Sequence, residues 1–182
     1  MRTDYMHADE LRHLLAALTP PNRLALEISL ATGLRIGDVL SLRSEAVQSS
    51  PDGRLTVREQ KTAKNRRVRL PRELHDRALA AAGRIWVFEG RQDYKSHRTR
   101  QAVWKDLRRA AKLFRVQGVI APHTARKTWA VGQFRGSGGD LKRVQRLLQH
   151  ESEAVTMLYA MADELTERRK PKKAKGGVNG AR

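Results

Sequence analysis

Apolar residues recur at helical spacing along almost the whole of this chain, and one region alone reads convincingly as strand; Leu24, Leu26, Ile28 and Leu30 also alternate, but Ala25 and Ala31 widen that stripe to a helical face. Leu11, Leu14, Leu15 and Leu18 predict a helix over Asp9–Leu18, stopped by Pro20-Pro21. A second helix is expected over Asn22–Ala31, ended by Thr32-Gly33, and a short third over Arg35–Leu42, with Leu34, Val39, Leu40 and Leu42 inward. The exception follows the turn signal Pro51-Asp52-Gly53: Leu55 and Val57, then Val68 and Leu70 after a Lys64-Asn65 turn, read as a β-hairpin. Helical spacing resumes at Pro71 with Leu74, Ala78, Leu79 and Ala82, and a short apolar segment Ile85–Phe88 and a polar loop Gly90–Arg98 follow. A longer helix is expected over Thr99–Phe114, with Val103, Leu107, Ala110, Ala111 and Phe114 on one face. Pro122-His123-Thr124 opens the next, with Thr124 as cap, and Gly136-Ser137-Gly138-Gly139 breaks it. Asp140 caps a helix burying Leu141, Val144, Leu147 and Leu148, and a last short helix, Ser152–Leu158, leads to Tyr159. Such a chain folds as a mainly α domain with a small antiparallel β-sheet, an α+β protein occupying residues 1–165. Residues 166–182 are basic, lack an apolar pattern and are expected to be a disordered tail.

Charge narrows the partner. Lys and Arg number 37 against 19 Asp and Glu, a net +18 over 182 residues, which favours polyanions and makes nucleic acid the obvious candidate, although ribosomal proteins and membrane-surface binders share so basic a balance. There are no cysteines, so disulfides, thiolate metal sites and a cysteine nucleophile are excluded. No apolar run approaches the ~20 residues of a membrane span, and the N-terminus MRTDYMHADEL lacks the apolar centre of a secretion signal. A soluble, cytoplasmic protein is expected, with no membrane partner.

Six residues form a chemical set: Arg35, Lys61, His123, Arg126, His150 and Tyr159. Each alone also has a structural reading, as a surface ion pair, a solvated hairpin tip, a helix cap or a packing tyrosine. Together they supply guanidiniums for a phosphoryl group, proton donors and acceptors, and a hydroxyl nucleophile. Asp38, three residues after Arg35, can fix that guanidinium while its other edge stays open to phosphate. Lys61 lies at the end of the first hairpin strand, where a mobile ammonium could protonate a leaving oxygen; Lys64 is the rival position, and Lys64, Arg66 and Arg67 form a basic tip suited to a DNA backbone. His123 and Arg126, spaced by three at a helix start, share one face.

The order and contexts of these residues resemble the catalytic domain of tyrosine recombinases, the phage integrase family, from about Met6 to Met161. The carriers are TGLR with an acid three positions on, KT after Glu-Gln in the hairpin, H-T-A-R, and a His150 to Tyr159 ending with Thr156 before the tyrosine. Three positions depart from the family pattern: Ala125 replaces a leucine, Lys127 a second histidine that leaves a cation near DNA, and Gln149 a glycine. The resemblance implies that Tyr159 attacks the scissile phosphate to give a 3′-phosphotyrosyl link while Arg35 and Arg126 hold the non-bridging oxygens. Lys61 would protonate the 5′-oxygen, His123 assist as acid or base, His150 hydrogen-bond the phosphate and Asp38 support Arg35. The covalent link retains the phosphodiester's energy, so neither ATP, nor a metal, nor another cofactor is expected. The resemblance begins at the family's catalytic domain, so the N-terminal core-binding domain is expected to be missing. It implies a tetramer on paired DNA sites, with monomers off DNA. Two competing functions share these features: a non-catalytic DNA-binding protein of the same fold, and a type IB topoisomerase-like relaxing enzyme.

Overall fold

The computed structural model describes residues 8–116 and 120–149. Among them the chain forms α1 (Ala8–Ala16), α2 (Pro20–Thr32), α3 (Ile36–Leu40), α4 (Ser44–Gln48), the strands β1 (Arg54–Arg58) and β2 (Asn65–Arg69), then α5 (Arg72–Ala81), α6 (Arg100–Leu113), α7 (His123–Gly136) and α8 (Leu141–Leu148). This is the mainly α architecture with a small antiparallel sheet that the periodicity predicts. Pro20 and Pro21 open α2 instead of merely closing α1, because a proline in the first helical turn forfeits no hydrogen bond. The five-residue α4 was not foreseen; it holds too few apolar positions for a period to show.

β1 and β2 pair in the register Leu55↔Val68 and Val57↔Arg66. Leu55 and Val57 face inward, as does Leu70 just past β2. The connection is longer than a Lys64-Asn65 turn: Glu59 N–H donates to Lys64 O at 2.9 Å and Ala63 N–H to Glu59 O at 2.9 Å, with Ala63 at φ +54.

One apolar core takes residues from α1 through α6, the hairpin and the start of α7, including Ile28, Leu34, Val39, Leu40, Phe88 and Leu107. A second, much smaller one joins Ala130, Val144 and Leu148, with Trp129 and Phe134 against it. Three expected core residues are exposed instead: Leu79 on α5, Phe114 at the C-cap of α6, and Leu147 on α8. Thr124 is not the cap of α7. Pro122 occupies that position, and Thr124 lies buried inside the first turn, its hydroxyl accepting from Ala121 N–H at 3.3 Å. Asp140 does cap α8, accepting from Arg143 N–H at 2.9 Å. The expected helix Ser152–Leu158 lies outside the described residues, as does the tail. No helix among the described residues is long and apolar enough to cross a membrane.

Candidate active site

α2 ends at Gly33, whose φ of +67 is a left-handed conformation that a residue without Cβ adopts at little cost. The position is also sterically closed: a Cβ there would stand 2.4 Å from the Trp129 ring of α7. The turn does two things at once. It lets α7 pack against the end of α2, and it delivers Arg35 to the N-cap of α3 with its side chain largely covered.

Opposite Arg35, the inward face of β1 runs on past the strand. Leu55, Val57 and Glu59 alternate on one side, so Glu59 enters the interior and is fully buried. Its Oε2 accepts from the Arg35 guanidinium at 2.5 Å and from Thr62 Oγ1 at 3.0 Å. Its Oε1 lies 3.5 Å from the guanidinium of Arg66 and 3.8 Å from that of Arg126. Three guanidiniums from three separated stretches of chain therefore converge on one carboxylate. A buried charge persists only when opposite charges and hydrogen bonds compensate its desolvation, and here they do. Burial acts to raise the Glu59 carboxyl, but the hydrogen bond and charge of Arg35, the Thr62 hydroxyl and Arg126 outweigh it and hold Glu59 below the ordinary carboxylate range.

Arg126 is 1% exposed and donates to Gly33 O and to Leu148 O, each at 2.7 Å. It thus ties the end of α2 to the end of α8. Asp38 is equally buried. Its Oδ2 stands 4.0 Å from Arg35, while Oδ1 accepts from Gln60 N–H at 2.9 Å, so it grips the hairpin turn more closely than it grips the arginine. Burial first, then the negative charge of Glu59, raise the Asp38 carboxyl; Gln60 N–H, Arg35 and Arg126 offset this only in part.

The structure brings Arg35, Arg126, Asp38 and the turn bearing Lys61 into one place. Lys61 is exposed on that turn, and Lys64 and Arg67 are exposed nearby on the hairpin. His123 is the first residue of α7. The residue is exposed at the helix start, yet desolvation by the protein around it, then the charges of Arg126, Arg35, Arg100 and Lys127, lower its pKa, so the imidazole is neutral at pH 7 and able to accept a proton. Lys127 is half-buried beside Arg126. His150 and Tyr159 lie outside the described residues.

Arg66 corrects one expectation. It is not a surface contact for DNA: the side chain is buried, donates to Thr32 O at 2.7 Å and Gly33 O at 3.1 Å, and lies over the Trp129 ring at 5.4 Å. The alternation that puts Val68 and Leu70 inward puts Arg66 on the same face, so strand period, not charge, decides where it goes. Glu59 was missed for the reverse reason. It belongs to the inward series of Leu55 and Val57, but an acid beyond the last apolar residue of a strand reads as turn. Arg100 is a further cation within electrostatic reach of His123, its stem standing over Gly37.

The fold is the tyrosine recombinase catalytic-domain fold. A lambda integrase solved as a dimer bound to a COC′ core site is similar over 98% of this chain and 64% of its own, with a TM-score of 0.73 at 20% identity. The chain belongs to the phage integrase family, whose model matches residues 4–165. A tyrosine recombinase of Thermosipho africanus is 29% identical over 164 residues, covering 86% of this chain and 56% of the relative. Tyrosine recombinase XerA of Thermococcus kodakarensis is 27% identical over 176 residues, covering 92% and 61%. The chain thus spans between about half and three fifths of the length of such relatives.

Proposed function

We propose that this chain is the catalytic portion of a site-specific DNA recombinase that cleaves and rejoins strands through a 3′-phosphotyrosyl intermediate. The observation that carries this reading is the convergence of Arg35 and Arg126, 91 residues apart in sequence, on a single anionic group, the Glu59 carboxylate. Paired guanidiniums match the non-bridging oxygens of a phosphodiester and strengthen their hold as charge grows in the transition state.

In this mechanism the phenolic oxygen of Tyr159 attacks phosphorus, the P–O5′ bond breaks, and the 5′-oxygen leaves with a proton from Lys61. The phenol proton passes to His123, whose neutral form is the one able to take it. His150 hydrogen-bonds the phosphate. Rejoining reverses these transfers. The net +18 charge supports double-stranded DNA as the partner, with Lys64, Arg67 and Lys127 at the backbone. Assembly is as a tetramer on paired sites and as monomers off DNA.

The test is covalent capture. The protein is incubated in chelator with a pool of nicked duplexes of randomised sequence, and adducts surviving denaturation are isolated and their DNA sequenced. Wild type should yield an adduct on a defined sequence and Tyr159→Phe none. An adduct that persists in Tyr159→Phe removes the nucleophile assigned here. A wild type that binds DNA but forms no adduct with any member of the pool is a DNA-binding protein without the chemistry.

A further inference from the structure

The turn that carries Lys61 is fastened to α3 from both sides. Asp38, on α3, accepts from the backbone N–H of Gln60 in the turn at 2.9 Å. Glu59, at the root of the turn, accepts from the guanidinium of Arg35, the residue that caps α3, at 2.5 Å. The two links run in opposite directions between the same two segments, a donor and an acceptor from each. Thr62 Oγ1 adds a third bond from within the turn to Glu59 Oε2, and Glu59 N–H to Lys64 O closes its base. Both carboxylates are almost wholly removed from solvent, at 0% and 1% exposure, so water competes little with these bonds. One oxygen on each, Glu59 Oε1 and Asp38 Oδ2, has no hydrogen-bond partner among the described residues. Those oxygens face guanidiniums instead, Arg66 and Arg126 for Glu59 and Arg35 for Asp38, so the pair depends on cations from other segments where an apolar residue would bury without them.

A lysine on an exposed six-residue connection has, by itself, no fixed relation to a pocket across the turn. The reciprocal bonds give it one. We infer that Glu59, acting with Asp38, is a positioning residue: it locks the Lys61 turn against Arg35, so that the ammonium and the guanidinium address the same phosphoryl group. This deepens the proposed reaction and rests on it for the catalytic consequence. Glu59 touches no reacting atom. Its effect should appear in the step that needs Lys61 and be absent from DNA affinity.

The test compares Glu59→Gln with wild type on a duplex recovered from the capture pool, made with either an oxygen or a bridging sulfur at the 5′ position of the scissile phosphate. A thiolate leaves without protonation, so a sulfur substrate has no use for a positioned general acid. Glu59→Gln should cleave the oxygen substrate about 100-fold more slowly than wild type, bind it equally well, and come within about threefold of wild type on sulfur. Thr62→Val, a milder change to the same group, should lose about threefold on oxygen and nothing on sulfur. An equal loss on both substrates, or no loss on either, would overturn the assignment.

A second measurement needs no cleavage. In limited trypsin digestion, scission after Lys61 should become about fivefold faster in Glu59→Gln, while scission after the exposed Arg72 stays unchanged. Both sites accelerating together, or neither, would overturn the clasp. The reverse split, a wild type that never forms the adduct while the Lys61 site loosens in Glu59→Gln, would remove the proposed function and leave the clasp standing.

Discussion

The two apolar cores of this molecule hold their surroundings by different means. The large one gathers side chains from seven helices and the hairpin, and its members are mostly removed from water entirely. The small one, under α7 and α8, has three fully buried residues, two of them aliphatic and the third an alanine. Besides the packing of α7 on α2, polar contacts bind this second region to the first: Arg126 to Gly33 O and Leu148 O, Arg66 over Trp129, and Gln149 Nε2 to Asn65 O at 3.2 Å. Stability within a domain follows buried apolar contact, so α7 and α8 should open before the rest does. His123 and Arg126 stand at the start of α7, flanking Ala125 of the large core, so this half of the site lies where the two regions meet. The other half, Arg35, Asp38 and Glu59, is built on the firm one.

The largest effect that can break this contrast comes from paired truncations. Phe88→Ala, in the large core at 2% exposure, should cost about 3–5 kcal/mol and lower hydrogen-exchange protection across the described helices together. Leu148→Ala, at 0% exposure, should lower protection in α7 and α8 while the amides of α2 and α6 keep theirs. If the second variant also loosens α2 and α6 in equal measure, the two regions are one cooperative unit and the comparison fails.

A smaller effect sharpens the firm side. Asp106 on α6 accepts from Thr19 N–H, Thr19 Oγ1 and Asn22 Nδ2, each at 2.8 Å, and from Arg109 at 2.7 Å. Burial acts to raise this carboxyl, but the bonds from Asn22, Thr19 and Arg109 outweigh it and bring it to about 2 from 3.8. A depressed folded-state pKa contributes stability that is present above the unfolded value and disappears as pH falls through the folded one, here about 2 kcal/mol. Asp106→Asn should therefore be about 2 kcal/mol less stable than wild type near neutral pH. The gap between the two denaturation midpoints should close between about pH 4 and pH 2. A gap of constant size across that range would mean that the charge of Asp106 is not what joins α6 to the start of α2.

How far the sequence reveals this molecule depends on which force settles each residue. Where apolar spacing decides, the reading is accurate: the extent of α6, the α2 terminus at Gly33, and the hairpin that carries Leu55, Val57 and Val68 all follow from period and turn chemistry. Where charged residues go inside, it is not. Glu59 and Arg66 read as a solvated hairpin tip because burial of a charge depends on partners supplied by distant segments, here Arg35, Arg126 and the carbonyls of Thr32 and Gly33. The Arg35 and Asp38 pairing was legible as spacing, but the closer partner of Arg35 comes from 24 residues away.

The smallest effect concerns a backbone position that sequence alone marked as unusual. Gln149 stands where the family resemblance expects glycine, and it caps α8 in the left-handed region at φ +52, ψ +40. A side chain there costs about 1 kcal/mol relative to glycine. Gln149 recovers part of this through its Nε2 bond to Asn65 O, although its Oε1 is buried without a partner among the described residues. Relief of strain and removal of that orphaned oxygen outweigh the lost bond and the added freedom of the unfolded chain, so Gln149→Gly should stabilise α8 by about 0.5 kcal/mol. Exchange of the α8 amides is the readout, with the α2 amides as the internal standard. Slower exchange confined to α8 would show that the weak region is limited in part by one strained cap. Faster exchange there would show instead that the bond from Gln149 to Asn65, crossing between the two regions, matters more than the conformation of the residue that makes it.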